Sequence, residues 1–133
     1  MKIVYIAETS LTNKSAYTQH VVKMSDAFCQ LNHDLILYLP NVKSNFNFNK
    51  LKNKYLLIAQ KKFVIKSLIN VKLTNIFYKL FFLIQVINNI KDDKPDLILT
   101  RSFLSSVILS IFKIKHILEI HSEFQSLTKF LMI

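Results

Sequence analysis

Strand-like apolar runs alternating with helix-length segments predict an α/β domain built on a doubly wound parallel sheet. Three observations carry that expectation. The chain opens on KIVYIA, residues 2–7, a β-branched and aromatic run of the kind buried on both faces of a parallel sheet. Residues 15–31 place apolar side chains on one helical face, at Ala16, His20 or Val21, Met24, Ala27, Phe28 and Leu31. Residues 35–39 are then a second strand-like run, closed by Pro40, so the opening reads β-α-β.

Between that helix and strand, Asn32 and His33 break the period, and Asn tolerates the left-handed conformation that ends a helix. Residues 41–54 repeat Asn, Phe and Lys without a clean period, which predicts a long surface loop. Residues 55–59 predict a third strand. A helix follows over about residues 72–91, apolar on almost every face and so suited either to deep burial or to lipid. Pro95 stops it, and residues 97–100 predict a fourth strand. Residues 102–112 fit a helix by length and apolar content, residues 116–120 (HILEI) predict a fifth strand, and a further helix starts at Ser122. No internal repeat is present, and residues 1–133 read as one domain with a basic, apolar-rich middle segment over 41–91.

Composition narrows the class. With 51% hydrophobic residues among 133, the chain has enough apolar material for a core of ordinary size and is not a disordered sequence. The single cysteine, Cys29, forms no internal disulfide and reads as a packed thiol. No charged-then-apolar leader precedes the first strand, so the expected setting is cytoplasmic, with peripheral attachment to the inner membrane face open. The charge-free stretches 80–90 and 102–112 fall short of the roughly 20 residues that span a bilayer, so no transmembrane helix is expected. The chain has no glycine. Phosphate loops of the GxGxxG and GxxxxGK[ST] kinds are therefore excluded, because they need backbone to approach phosphate without a Cβ in the way. Four histidines and one cysteine without close spacing predict no metal site.

The net charge of +10 is localised. Residues 1–34 and 92–133 are each neutral, while residues 35–91 hold Lys43, Lys50, Lys52, Lys54, Lys61, Lys62, Lys66, Lys72, Lys79 and Lys91 with no acid. Aromatic residues such as Phe46, Phe48, Tyr55, Phe77 and Phe81 interleave with them. A basic block mixed with apolar surface suits an anionic membrane, and an ordinary solvated lysine face explains it equally well. Nucleic acid is not expected as a partner: Arg101 is the only arginine, and no nucleic-acid-binding motif is present.

Three blocks resemble the N-terminal domain of family 4 glycosyltransferases, which have the two-domain GT-B fold. They are MKIVYIAE with NKSAYTQHVVKMSDAFCQLNHDLILYLP, similar to the opening strand, loop and helix; KPDLILTRS, similar to the family's "PDvvytRs" strand and its exit; and IKHILEIHSE, similar to a strand ending in histidine. The blocks cover both ends of the chain, and the lysine-rich middle matches nothing specific. Lys14, Ser15 and Ala16 stand where many members carry a glycine pair, and Asn32 replaces the usual glycine before His33. The resemblance implies a Rossmann-like domain on the acceptor side of an enzyme that moves a sugar from a nucleotide sugar to a glycan or lipid-linked acceptor. The second domain, which holds most of the donor site in such enzymes, has no counterpart in these residues, so the implied partner is that domain or a separate chain, and no turnover is expected without it. The alternative is a non-catalytic, membrane-associated, acceptor-binding subunit.

Ligands of doubly wound sheets sit beyond the carboxyl ends of the strands. That rule selects Thr9, Ser10, Ser15 and Ala16 after strand one, Arg101 and Ser102 after strand four, and His121 with Glu123 after strand five. By resemblance His121 meets the transferred sugar; the competing account is a histidine satisfied by loop backbone. Arg101 suits a phosphate or a structural pair with Glu119 or Glu123. Ser15 and its neighbours suit an anion at a helix N-terminus, or plain capping by Asn13 or Ser15. Glu123, or Glu8 brought near it by the sheet, is the candidate base for an acceptor hydroxyl. The donor is a substrate, and no cofactor is expected.

Overall fold

The computed structural model describes residues 1–43, 45–68 and 75–120. Five strands, β1 (Lys2–Ile6), β2 (Asp34–Leu39), β3 (Val64–Ser67), β4 (Leu97–Thr100) and β5 (Ile117–Leu118), alternate with α1 (Ala16–Gln30), α2 (Phe48–Tyr55), α3 (Ile76–Asp93) and α4 (Phe103–Ile111). All pairings are parallel and the order is β3-β2-β1-β4-β5. The domain is thus a doubly wound, Rossmann-like sheet. Its strand order reverses between β1 and β4.

Strand periodicity divides the core into two layers. On one face Ile3, Tyr5, Leu35, Leu37 and Leu39 pack with Val21, Val22 and Cys29 of α1 and Leu51 of α2. On the other, Val4, Ile6, Ile36 and Tyr38 pack with Phe82, Leu83, Val86 and Ile87 of α3 and Leu109 of α4. Strands apolar at every position are what two covered faces require.

Two sequence expectations are corrected. The predicted loop over 41–54 contains most of α2, whose start is set by Asn47: its side chain accepts from the backbone N–H of Asn49 and Lys50. Residues 55–59 are not a strand. Tyr55 ends α2, Leu56 turns left-handed, and the third strand falls at Val64–Ser67. A charge placed far from this segment fixes the misread stretch: Asp26 of α1 accepts from the backbone N–H of Ile58 and of Ala59, each at 3.1 Å, so these residues give their hydrogen bonds to a carboxylate instead of a neighbouring strand. The fifth strand is shorter than predicted, and the helix expected from Ser122 onward lies outside the described residues.

The basic middle segment also finds acids from its flanks. Lys61 pairs with Asp34, Lys66 with Asp93 and Lys79 with Glu8. Among the described residues no helix is long and apolar enough to cross a membrane.

Candidate functional site

The turn from β1 into α1 is built from hydroxyls. Ser15 caps α1, accepting from the Thr18 N–H at 3.2 Å, and its Oγ shares a 3.1 Å hydrogen bond with Thr18 Oγ1. Thr18 in turn shares a 2.6 Å bond with Thr9, and both threonines are buried. The Ser15 N–H donates to Asn13 Oδ1, while Ser10 and Thr12 share a bond of 2.8 Å. Beside this turn opens a polar cleft of about 600 Å³, lined by Glu8, Ser10, Ser15 and Tyr17 from the β1 side and by Asn41 and Lys43 after β2. The first turn of α1 carries no acidic residue, so the positive end of the helix and the Lys43 ammonium border the cleft opposite the single carboxylate of its lining, Glu8.

Glu8 marks the point where the strand order reverses. Its Oε1 accepts from Ser102 Oγ at 2.5 Å and from Ser105 Oγ at 2.9 Å, and its Oε2 lies 3.4 Å from the Lys79 ammonium. Ser102 is simultaneously the cap of α4, accepting from the Ser105 N–H. One carboxylate therefore joins the exits of β1 and β4 and the start of α4. Glu8 accepts two hydroxyl donors and pairs with one ammonium in this arrangement, which makes it first a brace.

A second carboxylate, Glu119, gathers groups from β1, α1 and the exit of β4. Tyr5 donates its hydroxyl to Oε2 at 2.8 Å, His20 Nε2 lies 2.8 Å from Oε1, and Arg101 Nε is 3.6 Å from Oε2. The Arg101 guanidinium lies over the Tyr17 ring at 4.7 Å from its centre, with only 8% of the side chain exposed. Its Nη1 is buried and has no hydrogen-bond partner among the described residues. Burial, reinforced by the bond to Glu119, pushes the Tyr5 hydroxyl well above the ordinary tyrosine range. Burial also pushes Tyr17 up, so both phenols are neutral near pH 7.

Of the residues selected from sequence, Thr9, Ser10 and Ser15 line the polar cleft. Ala16 opens α1 as an exposed residue and does not line it. Arg101 and Ser102 join the Glu119 and Glu8 clusters, and of the two accounts given for Arg101 the structural pair, with Glu119, is present. His121 and Glu123 lie outside the described residues, as does any approach of Glu123 to Glu8. Sequence reasoning assigned His20 to helix packing and did not single out Tyr5 or Lys43. The signal for Tyr5 was available in principle: it is a polar-tipped ring inside an otherwise apolar buried run, and such a tip needs a partner. Among the described residues no group of three His, Cys, Asp or Glu side chains is placed to hold a metal ion. No family model matches the chain, and no curated protein matches it significantly.

Proposed function

We propose that this chain is the acceptor-side domain of a glycosyltransferase, working with a donor-binding domain to move a sugar from a nucleotide sugar to an acceptor hydroxyl on a glycan or lipid-linked intermediate. The observation that carries the reading is the polar cleft at the carboxyl ends of β1 and β2, where the α1 N-terminus, Ser10, Ser15 and Lys43 converge without a phosphate-binding glycine loop. The three sequence blocks that resemble family 4 enzymes support it, because two of them are the elements that form or flank this cleft.

In this reading the domain contributes position and field. The α1 N-terminus and Lys43 stabilise negative charge on the donor diphosphate as the leaving group departs. The buried Arg101 guanidinium, braced by Glu119 and stacked on Tyr17, adds a fixed positive charge behind the cleft wall. Glu8 holds β1 and α4 in register, so the hydroxyls beyond them keep their geometry. His121 meets the transferred sugar, and Glu123 takes the proton of the acceptor hydroxyl.

Amide NMR of the purified chain with millimolar UDP-glucose, UDP-N-acetylglucosamine and GDP-mannose tests the proposal. Weak, saturable shifts confined to residues 8–17 and 41–43, lost in Lys43→Ala, are expected. Shifts absent for all three donors, or centred elsewhere, would contradict it.

A further inference from the structure

Beside the polar cleft lies a second cavity, a groove of about 200 Å³ between the β1–α1 turn, residues 41–43 and 45–47, and α2. Its walls are nearly all carbon, formed by Leu11, Val42, Phe46 and Leu51. The first three are partly buried side chains packed against the core, so the groove is backed by rigid structure. Ser10, Thr12, Asn41 and Lys43 border both the groove and the cleft, which are therefore adjacent.

Around this apolar slot stand Lys43, Lys50 and Lys54. None of the three has an acidic partner among the described residues, unlike Lys61, Lys66 and Lys79. Lys54 is held at the wall: its ammonium donates to the Leu11 carbonyl at 3.3 Å and sits 4.9 Å from the centre of the Tyr55 ring. That leaves further N–H donors on the same ammonium for an anion. An apolar slot bordered by lysines without acidic partners among the described residues, next to a polar cleft, complements a molecule with an apolar chain, an anionic group at its end and polar groups beyond.

We propose that the groove binds the chain-and-phosphate portion of a single-chain lipid phosphate, presenting what lies beyond the phosphate to the polar cleft. At about 30 Å³ for each water-sized group, the slot takes roughly six or seven carbons of the chain. Lys43, Lys50 and Lys54 hold the phosphate. This deepens the acceptor-side reading and rests on it for the role of the bound lipid, but the binding itself needs neither donor nor transfer.

Titration of the purified chain with monomeric decyl phosphate, followed by calorimetry and amide NMR, tests the groove. Saturable binding with shifts at residues 10–12, 41–43 and 45–54 is expected. Inorganic phosphate and decyl maltoside at equal concentration are each expected to bind at least about tenfold more weakly, because each lacks one half of the complementarity. Two variants separate the halves. Lys43→Glu with Lys50→Glu changes only side chains at the rim and should weaken decyl phosphate at least about tenfold; Val42→Trp fills the slot and should weaken decyl phosphate while leaving the small response to inorganic phosphate unchanged. Equal binding of inorganic phosphate would reduce the site to an anion site, equal binding of decyl maltoside to an apolar sink, and no saturable decyl phosphate binding by the folded chain would remove it; each result overturns the proposal. A donor titration that fails while decyl phosphate binds would count against the transferase reading alone.

Discussion

Asp93 shows how a single side chain couples one layer of this domain, α3 against β2 and β3, to pH. It ends α3, accepts the Tyr38 hydroxyl from β2, and receives the Lys66 ammonium from β3 at 2.7 and 2.9 Å on its two oxygens. Burial pushes its pKa upward, but the hydrogen bonds from Lys66 and Tyr38 outweigh that and hold it below the ordinary carboxylate value. A depressed folded pKa means that the stability Asp93 contributes is complete above the unfolded value near pH 4 and is lost as pH falls through the lower, folded value. Urea unfolding across pH 2–7 should therefore show an acid limb that flattens in Asp93→Asn, with a loss of about 2 kcal/mol at neutral pH. An unchanged acid limb in the variant would assign it to other carboxylates. Apart from the Arg101–Glu119 pair, the long-range pairs made by Asp93, Asp26 and Glu119 were not legible in the sequence. Their partners lie between 27 and 114 positions away, and only the sheet order brings them together.

At the scale of elements, the sequence was most legible where periodicity and burial agree. β1, α1, β2 and β4 fall within a residue or two of their predicted bounds, because two-sided burial writes an uninterrupted apolar run and one-sided burial writes a helical period. α2 was hidden for the opposite reason. Its polar, lysine-rich sequence carries little apolar signal, and its core anchors reduce to Leu51 and Tyr55. The missing glycines leave a second mark. Helix ends that need a left-handed residue use Asn32, Leu56, Lys94 and Lys113 instead. Asn32 is the substitution anticipated from sequence. Leu56 is the costly one, a γ-branched residue at φ 53° whose side chain is 77% exposed and so recovers little by packing. Leu56→Gly is expected to raise stability by about 0.5–1 kcal/mol, seen as a higher urea midpoint at unchanged slope. A lower midpoint would mean that the Leu56 side chain contributes more by contact than its backbone costs.

At the scale of the whole molecule, the cleft and groove occupy one edge, above the carboxyl ends of β1 and β2, while the outer faces of α3 and α4 expose Phe77, Phe81, Ile84, Phe103 and Ile111. The apolar helix predicted to be either core or lipid-facing is both buried and exposed: Phe82, Leu83, Val86 and Ile87 enter the core, and Phe77, Phe81 and Ile84 do not. Together with lysines that lack acidic partners, this exposed face is the observation that favours the non-catalytic membrane subunit as a second reading. Cosedimentation with vesicles of phosphatidylcholine and phosphatidylglycerol separates that reading from a merely solvated lysine face. Membrane attachment predicts binding at low ionic strength that falls steeply as the Debye length shrinks from about 30 Å to about 8 Å, whereas background binding in low salt would set it aside.

The central claim is that this domain supplies the acceptor side of a sugar transferase, and the most direct test is the coding DNA beyond codon 133, read over about 250 codons, one to two domain lengths. A second Rossmann-like domain there, in frame or in an adjacent frame, is the predicted result, with an acidic motif suited to a nucleotide sugar. Unrelated sequence, with no such domain encoded by a neighbouring gene, would contradict the claim.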